Sequence, residues 1–93
     1  DEACDEETEN KIREFILTSK GVEHIDELMT RMFGNRVYVI VEIACKRDLP
    51  LYEAHEIAEN VHKGIEENFP QVKHITVHVN PFEEKNEQEE EFK

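Results

Sequence analysis

The chain has 93 residues with 11 basic and 23 acidic side chains, so its formal net charge at neutral pH is -12. This charge repels nucleic-acid phosphates and anionic lipid headgroups, which argues against nucleic acid or a membrane surface as a partner. No apolar run approaches the roughly 18 residues of a membrane-spanning helix, so we expect no direct membrane insertion of this chain.

The first element predicted along the chain is a helix that follows an acidic leader. Residues 1–7, the leader, are mostly acidic. Apolar side chains then recur at helical spacing, as at Ile12 and Ile16, and Gly21 favours a helix end. We therefore predict a helix over about residues 5–19.

Two strands joined by a tight turn are predicted next. The sequence Phe-Gly-Asn-Arg at 33–36 is typical of a turn, and residues 37–45 are rich in β-branched side chains. We predict that this run pairs antiparallel with a strand within residues 22–32. Its alternating valines form one apolar face. Its second face is half apolar and consists of Tyr38, Ile40, Glu42 and Ala44, so both faces need at least partial cover.

A second helix and a third strand complete the pattern. Pro50 suits a helix start, and the apolar residues between positions 51 and 69 trace a stripe with the helical period. Apolar and polar side chains alternate from Ile75 to Val79, which predicts a third strand, and we expect it beside the first. Residues 82–93 carry six glutamates and little apolar area, so they predict an acidic flexible tail.

The order of helix, strand, strand, helix and strand predicts an α+β fold. Two helices would pack on one three-stranded mixed sheet to form a two-layer αββαβ sandwich. The domain would span residues 8–81, between the leader and the tail. Because its core is small, we expect a bound metal or a second subunit to help stabilise it.

Short motifs on these elements carry a resemblance to one known family. They read Arg-Met-Phe-Gly at 31–34, Leu-Pro-Leu-Tyr-Glu-Ala-His at 49–55 and Val-His-Val-Asn-Pro at 77–81. In this order and spacing, over about residues 12–81, they resemble the C-terminal cytoplasmic domain of cation diffusion facilitators (CDF), membrane transporters that export divalent metal ions. The resemblance implies a metallochaperone-like (ferredoxin-like) fold and homodimerisation through this domain. It also implies, in many members, a divalent metal near the dimer interface that favours the transport-competent arrangement.

The same resemblance implies that the chain is the regulatory part of a larger transporter. The leader would follow the last transmembrane helix, and the transmembrane domain of the same protein would be a partner that this sequence does not include. The domain would lie at the cytoplasmic face of the membrane. A start at Asp1 without methionine agrees with this expectation of a fragment.

The resemblance further implies candidate metal ligands. Zinc-binding members carry histidines on the first and second strands, a histidine after alanine in the second helix, and a His-x-Asp at the end of the third strand. The corresponding residues here are Asp26 or His24, then Glu42, His55 and His78. Asn80 replaces the aspartate. We expect zinc first, with manganese, iron, cobalt or nickel as alternatives, and carboxylates favour the harder of these ions.

Other interpretations of these residues stay open. His55 and His78 would then be hydrogen-bonded packing residues, and Glu42 an outward carboxylate paired with Arg31 or Lys73. The domain would be a structural homodimerisation domain without metal binding. A free-standing metallochaperone normally uses paired cysteines, and this sequence has none at such spacing. Catalysis is not expected, because the chain has one serine and no glycine-rich phosphate loop or nucleophile elbow.

Overall fold

The computed structural model describes residues 4–83. Its elements are α1 (Glu6–Leu17), β1 (His24–Phe33), β2 (Arg36–Cys45), α2 (Leu51–Asn68) and β3 (Val72–Pro81). This order confirms the predicted αββαβ arrangement. Within the described residues, neither helix is long and apolar enough to cross a lipid bilayer.

The three strands form one mixed sheet with β2 in the centre. β1 pairs antiparallel with β2 through the turn at Gly34, whose φ of 65° suits glycine. β3 pairs parallel with β2 on the other edge. The expectation that β3 lies beside β1 was therefore wrong. The helical crossover from β2 through α2 returns the chain to the same end of the sheet, so β3 runs parallel to the strand that precedes the helix.

Both helices cover the same face of the sheet. Every second residue of β2 from Val37 to Cys45 is buried, as the alternating pattern of the sequence predicts. The helices meet this face with four fully buried side chains, Ile12, Ile16, Val61 and Ile65. Burying each aliphatic side chain of this size contributes about 1.5–3 kcal/mol, so this layer supplies most of the hydrophobic stabilisation.

The chain before α1 is fixed to the sheet. Asp5 caps α1 by accepting a 2.8 Å hydrogen bond from the backbone N–H of Thr8, and this bond lowers the pKa of the Asp5 carboxyl. Cys4, which falls within the predicted leader, is buried in the core. Its backbone N–H donates to Oγ1 of Thr30, which itself donates to Oε1 of Glu9 at 2.9 Å. Thr30 thus connects the start of the domain, α1 and β1.

The described chain continues briefly past β3. The backbone N–H of Phe82 donates to the carbonyl oxygen of Cys45 at 2.7 Å, so the first residue of the predicted tail is attached to the end of β2. Glu83 lies 3.8 Å from the Arg47 guanidinium at the surface. The rest of the predicted tail, like residues 1–3 of the predicted leader, lies outside the described residues.

Candidate metal site

One face of the sheet has no helix on it within the described chain, and we call it the open face. On β2 it consists of the residues that alternate with the core valines, namely Tyr38, Ile40, Glu42 and Ala44. Apolar side chains remain accessible there, with Ile40 40% and Phe33 47% exposed. The predicted need for cover on the second face of β2 is therefore not met by residues 4–83.

A break in the β1–β2 register brings two candidate ligands to the open face. His24 pairs with Ala44, Ile25 pairs with Ile43, and the next paired residue is Glu27, opposite Glu42. Asp26 is the extra residue of a β-bulge. A bulge of this kind changes which face the following side chains occupy. His24 and Asp26 consequently lie beside Glu42.

Asn80, at the end of β3, joins the other two strands through its side chain. Its Nδ2 donates a 2.9 Å hydrogen bond to Oδ2 of Asp26 on β1 and a 3.0 Å hydrogen bond to Oε1 of Glu42 on β2. We call this pair of hydrogen bonds the Asn80 bridge. The second carboxylate oxygen of Asp26, Oδ1, lies 2.9 Å from Nδ1 of His24. Four polar side chains from three strands therefore form one connected network.

The network favours the ionised form of the Asp26 carboxyl. The hydrogen bond from Asn80 is the largest cause of a lowered pKa at Asp26, and the contact with His24 lowers the pKa further. Asp26 and His24 are 36% and 60% exposed at their side chains, so solvent reaches both. Together with residues 80–83 they line an open pocket of about 690 Å³. An ion would have direct access to these groups from water.

The two remaining candidates occupy different places. His78 is exposed on β3 and pairs with Glu42 in the parallel register, so it lies on the open face next to the network. His55 lies on α2, in the layer that covers the opposite face of the sheet, and its side chain is 73% exposed. Its Nε2 is 3.8 Å from Oε2 of Glu59. One chain thus groups His24, Asp26, Glu42 and His78, and leaves His55 apart from them.

The donor types in this group suit a divalent cation. Imidazole nitrogens and side-chain oxygens are the ligands that such ions use in proteins. Among residues 4–83, however, no three His, Cys, Asp or Glu side chains are placed closely enough to hold an ion. A shell built on this group needs a further donor, from Asn80, from water or from a second copy of the chain.

No pattern in the sequence indicates that Asn80 connects the site. The family resemblance marks it only as the residue that replaces an aspartate, whereas the structure places it between two carboxylates. A weak signal exists in the alternation of β3, because His78 and Asn80 fall on the same face two residues apart. That pattern alone does not identify which carboxylates they meet.

Cys45 does not contribute a ligand. Its side chain is 1% exposed, and burial, with a smaller effect from the nearby Glu23 carboxylate, raises the pKa of the thiol. A protonated, buried thiol neither binds metal nor reacts as a nucleophile. Cys45 is a small apolar packing residue at the end of β2.

Known proteins with similar sequences include a metal tolerance protein and a manganese efflux system protein. A family model described as the cytoplasmic domain of cation efflux proteins matches residues 4–82. Metal tolerance protein 6 of Oryza sativa subsp. japonica is 37% identical over 60 residues, which are 64% of this chain and 16% of that protein. The manganese efflux system protein MneP of Bacillus subtilis is 26% identical over 82 residues, 88% of this chain and 28% of its own length. The chain therefore spans less than a third of these relatives.

Solved structures of the MamM C-terminal domain share the fold. A variant in its nickel form matches with a TM-score of 0.81 at 23% identity, covering 85% of this chain and 100% of that one. A variant in its cadmium form gives a TM-score of 0.80 at 23% identity, with 84% and 98% covered. The likeness confirms the predicted metallochaperone-like fold and, at this identity, establishes the fold alone.

Proposed function

The chain belongs to the cation efflux protein family, whose cytoplasmic domain it carries, and from that premise we propose that it senses divalent cations and dimerises. In this proposal it is the regulatory domain of a membrane transporter that exports such ions. Names such as manganese efflux system protein describe relatives that are several times longer than this chain. Export would require the transmembrane part of the protein, and the domain itself would have no catalytic role.

The observation that supports cation sensing is the network on the open face. Asp26, Glu42 and Asn80 are drawn together by hydrogen bonds from three strands, and His24 and His78 lie at its sides. The two carboxylates place like charges close together in a chain whose net charge is already -12, and this repulsion is unfavourable. Binding a divalent cation would offset that charge.

Dimerisation is supported by the apolar part of the same face. Met29, Phe33 and Ile40 are each more than a third exposed, and they lie on one side of the sheet opposite the core. A small domain gains stability when such a surface is covered. A second copy placed on this face would cover it and could supply the donor that one chain lacks. Cation binding and dimerisation would then stabilise each other.

Calorimetric titration of the metal-free protein with Zn²⁺ and Mn²⁺ tests the proposal. We expect saturable binding that weakens in His78→Ala and at a pH below about 6, because protonated imidazole cannot bind a metal ion. His62→Ala is the matched control, since His62 lies on α2 within 3.4 Å of Glu66, in the layer across the sheet from the network. The melting temperature should rise with cation concentration.

His55→Ala separates two forms of the site. A loss of affinity in this variant would mean that the α2 histidine of a second copy reaches the open face. Unchanged affinity would mean that the sheet residues bind the cation without it. Absence of both heat and a melting-temperature response with either ion, at saturating concentration, would contradict cation sensing.

A structural homodimerisation domain without metal binding is the second candidate. It is favoured by the spacing of the His, Cys, Asp and Glu side chains among residues 4–83. No three of them lie close enough together to hold an ion. The network would then hold the ends of the three strands together without an ion. A dimer whose mass and melting temperature do not respond to cations or to chelator would support this candidate over the first.

A further inference from the structure

The side-chain nitrogen of Asn80 lies where a cation shared by Asp26 and Glu42 would lie. It is 2.9 Å from one carboxylate oxygen and 3.0 Å from the other. Divalent cations bind carboxylate oxygens at about 2.0–2.6 Å, in the same region between the two groups. The amide nitrogen and the ion cannot both occupy this space.

The orientation of the Asn80 amide is dictated by its neighbours. Ionised carboxylates only accept hydrogen bonds, so the NH₂ end of the amide has to face Asp26 and Glu42, and the carbonyl end has to face away. A bound cation reverses this requirement, because it repels the NH₂ group and attracts the carbonyl oxygen. Rotation of the amide by about 180° exchanges the two ends, and this terminal torsion is broad in asparagine.

We propose that the Asn80 amide is an internal substitute for the cation, which fills its position in the metal-free protein and rotates to become a ligand when the ion binds. This inference rests on the proposed cation site and specifies how that site is regulated. Before binding, the Asn80 bridge compensates two carboxylates with two hydrogen bonds and no net charge. After rotation, Oδ1 would supply the third oxygen that the His, Cys, Asp and Glu side chains of residues 4–83 do not provide.

The rotation has a thermodynamic consequence. Each ion that binds must first displace two hydrogen bonds to charged groups, which are stronger than neutral ones. Asn80 therefore lowers the affinity of the site and keeps it well ordered while it is empty. An aspartate at this position could not replace the Asn80 bridge, since an ionised carboxylate has no hydrogen to donate and adds a third negative charge. The Asn80→Asp variant should be less stable without metal and bind cations at least about tenfold more tightly.

Side-chain amide NMR measures the rotation directly. In ¹⁵N-labelled protein with chelator, the Asn80 NH₂ signals should report hydrogen-bonded protons that exchange slowly with water. Adding Zn²⁺ or Cd²⁺, which are diamagnetic, should shift these signals and speed their exchange as the NH₂ group turns to solvent. Asn68 is the internal control, because its Nδ2 donates to the carbonyl oxygen of Gly64 on α2, away from the site. The Asn68 signals should stay in place.

Calorimetry with the wild type and Asn80→Asp separates this inference from the proposed function. If the wild type binds Zn²⁺ or Cd²⁺ while the Asn80 signals stay unmoved, the rotation is refuted and cation sensing stands. If only Asn80→Asp binds, the rotation and cation sensing by the native domain are both refuted, because the wild-type amide then never becomes a ligand. If neither protein binds an ion, both proposals fail. Should Asn80→Asp not fold, the NMR comparison in the wild type decides alone.

Discussion

Replacing Gly64 with alanine tests how closely α1 and α2 pack. Gly64 lies inside α2, where alanine favours the helix by about 1 kcal/mol. A Cβ at this position would lie 2.7 Å from Cε2 of Phe15, well inside van der Waals contact. The Phe15 ring is also held edge-on against Phe69, with the ring centroids 6.2 Å apart. It can yield to the new methyl group only by leaving this contact.

The two effects oppose each other, and their magnitudes decide the sign. Overpacking a core position typically costs about 1–3 kcal/mol, more than the helix propensity returns. With about 1 kcal/mol of propensity subtracted, we expect Gly64→Ala to lower the free energy of unfolding by up to about 2 kcal/mol. Urea unfolding followed by circular dichroism, at one fixed protein concentration because the chain is expected to dimerise, measures this change.

Two further variants isolate the cause of the Gly64→Ala effect. Asn60→Ala, at an exposed position of the same helix, should stabilise the protein by a few tenths of a kcal/mol, since only propensity changes there. Phe15→Leu combined with Gly64→Ala should cost less than the sum of the two single variants, because the shorter side chain leaves room for the methyl group. A Gly64→Ala protein at least as stable as the wild type would refute the packing argument.

Three other measurements address the rest of the molecule. Thr30→Val should lower the free energy of unfolding by about 1–3 kcal/mol, because the Cys4 N–H and the Glu9 carboxylate lose their hydrogen bonds to the Thr30 hydroxyl. Urea titration measures this change. The hydrogen bond from Asn80 is the largest cause of the lowered pKa of Asp26, so ionised Asp26 stabilises the fold. This stabilisation is complete above the usual titration range of a carboxyl and is lost as the pH falls through the lowered pKa. The melting-temperature difference between the wild type and Asp26→Asn should therefore shrink in acid, and a constant difference would contradict this. Light scattering at tens of micromolar should give twice the 11.0 kDa of one chain, and a monomer mass would remove the dimer.

The parts of the fold that the sequence predicted are those with strong local periodicity. Alternation over residues 37–45 gave β2 and its core face, and the 3.6-residue stripe gave α2. The edge on which β3 pairs was missed, because alternation reports which side chains are buried and says nothing about the neighbouring strand. The burial of Cys4 was missed for a similar reason. Its acidic neighbours indicate a solvated segment, whereas its side chain packs in the hydrophobic core and its backbone N–H donates to Thr30.

The candidate site depends on the β-bulge at Asp26, because strict alternation along β1 would place His24 on the wrong face of the sheet. In an unbroken strand, His24 would share a face with Leu28 and Thr30, which pack on the helix side. The bulge at Asp26 puts these residues on opposite faces, so β1 can bury its apolar half and still present His24 to the open face. Because of the bulge, one strand contributes both to the core and to the network. In a variant that lacks the extra residue, β1 could keep either its apolar side chains in the core or His24 on the open face, but not both.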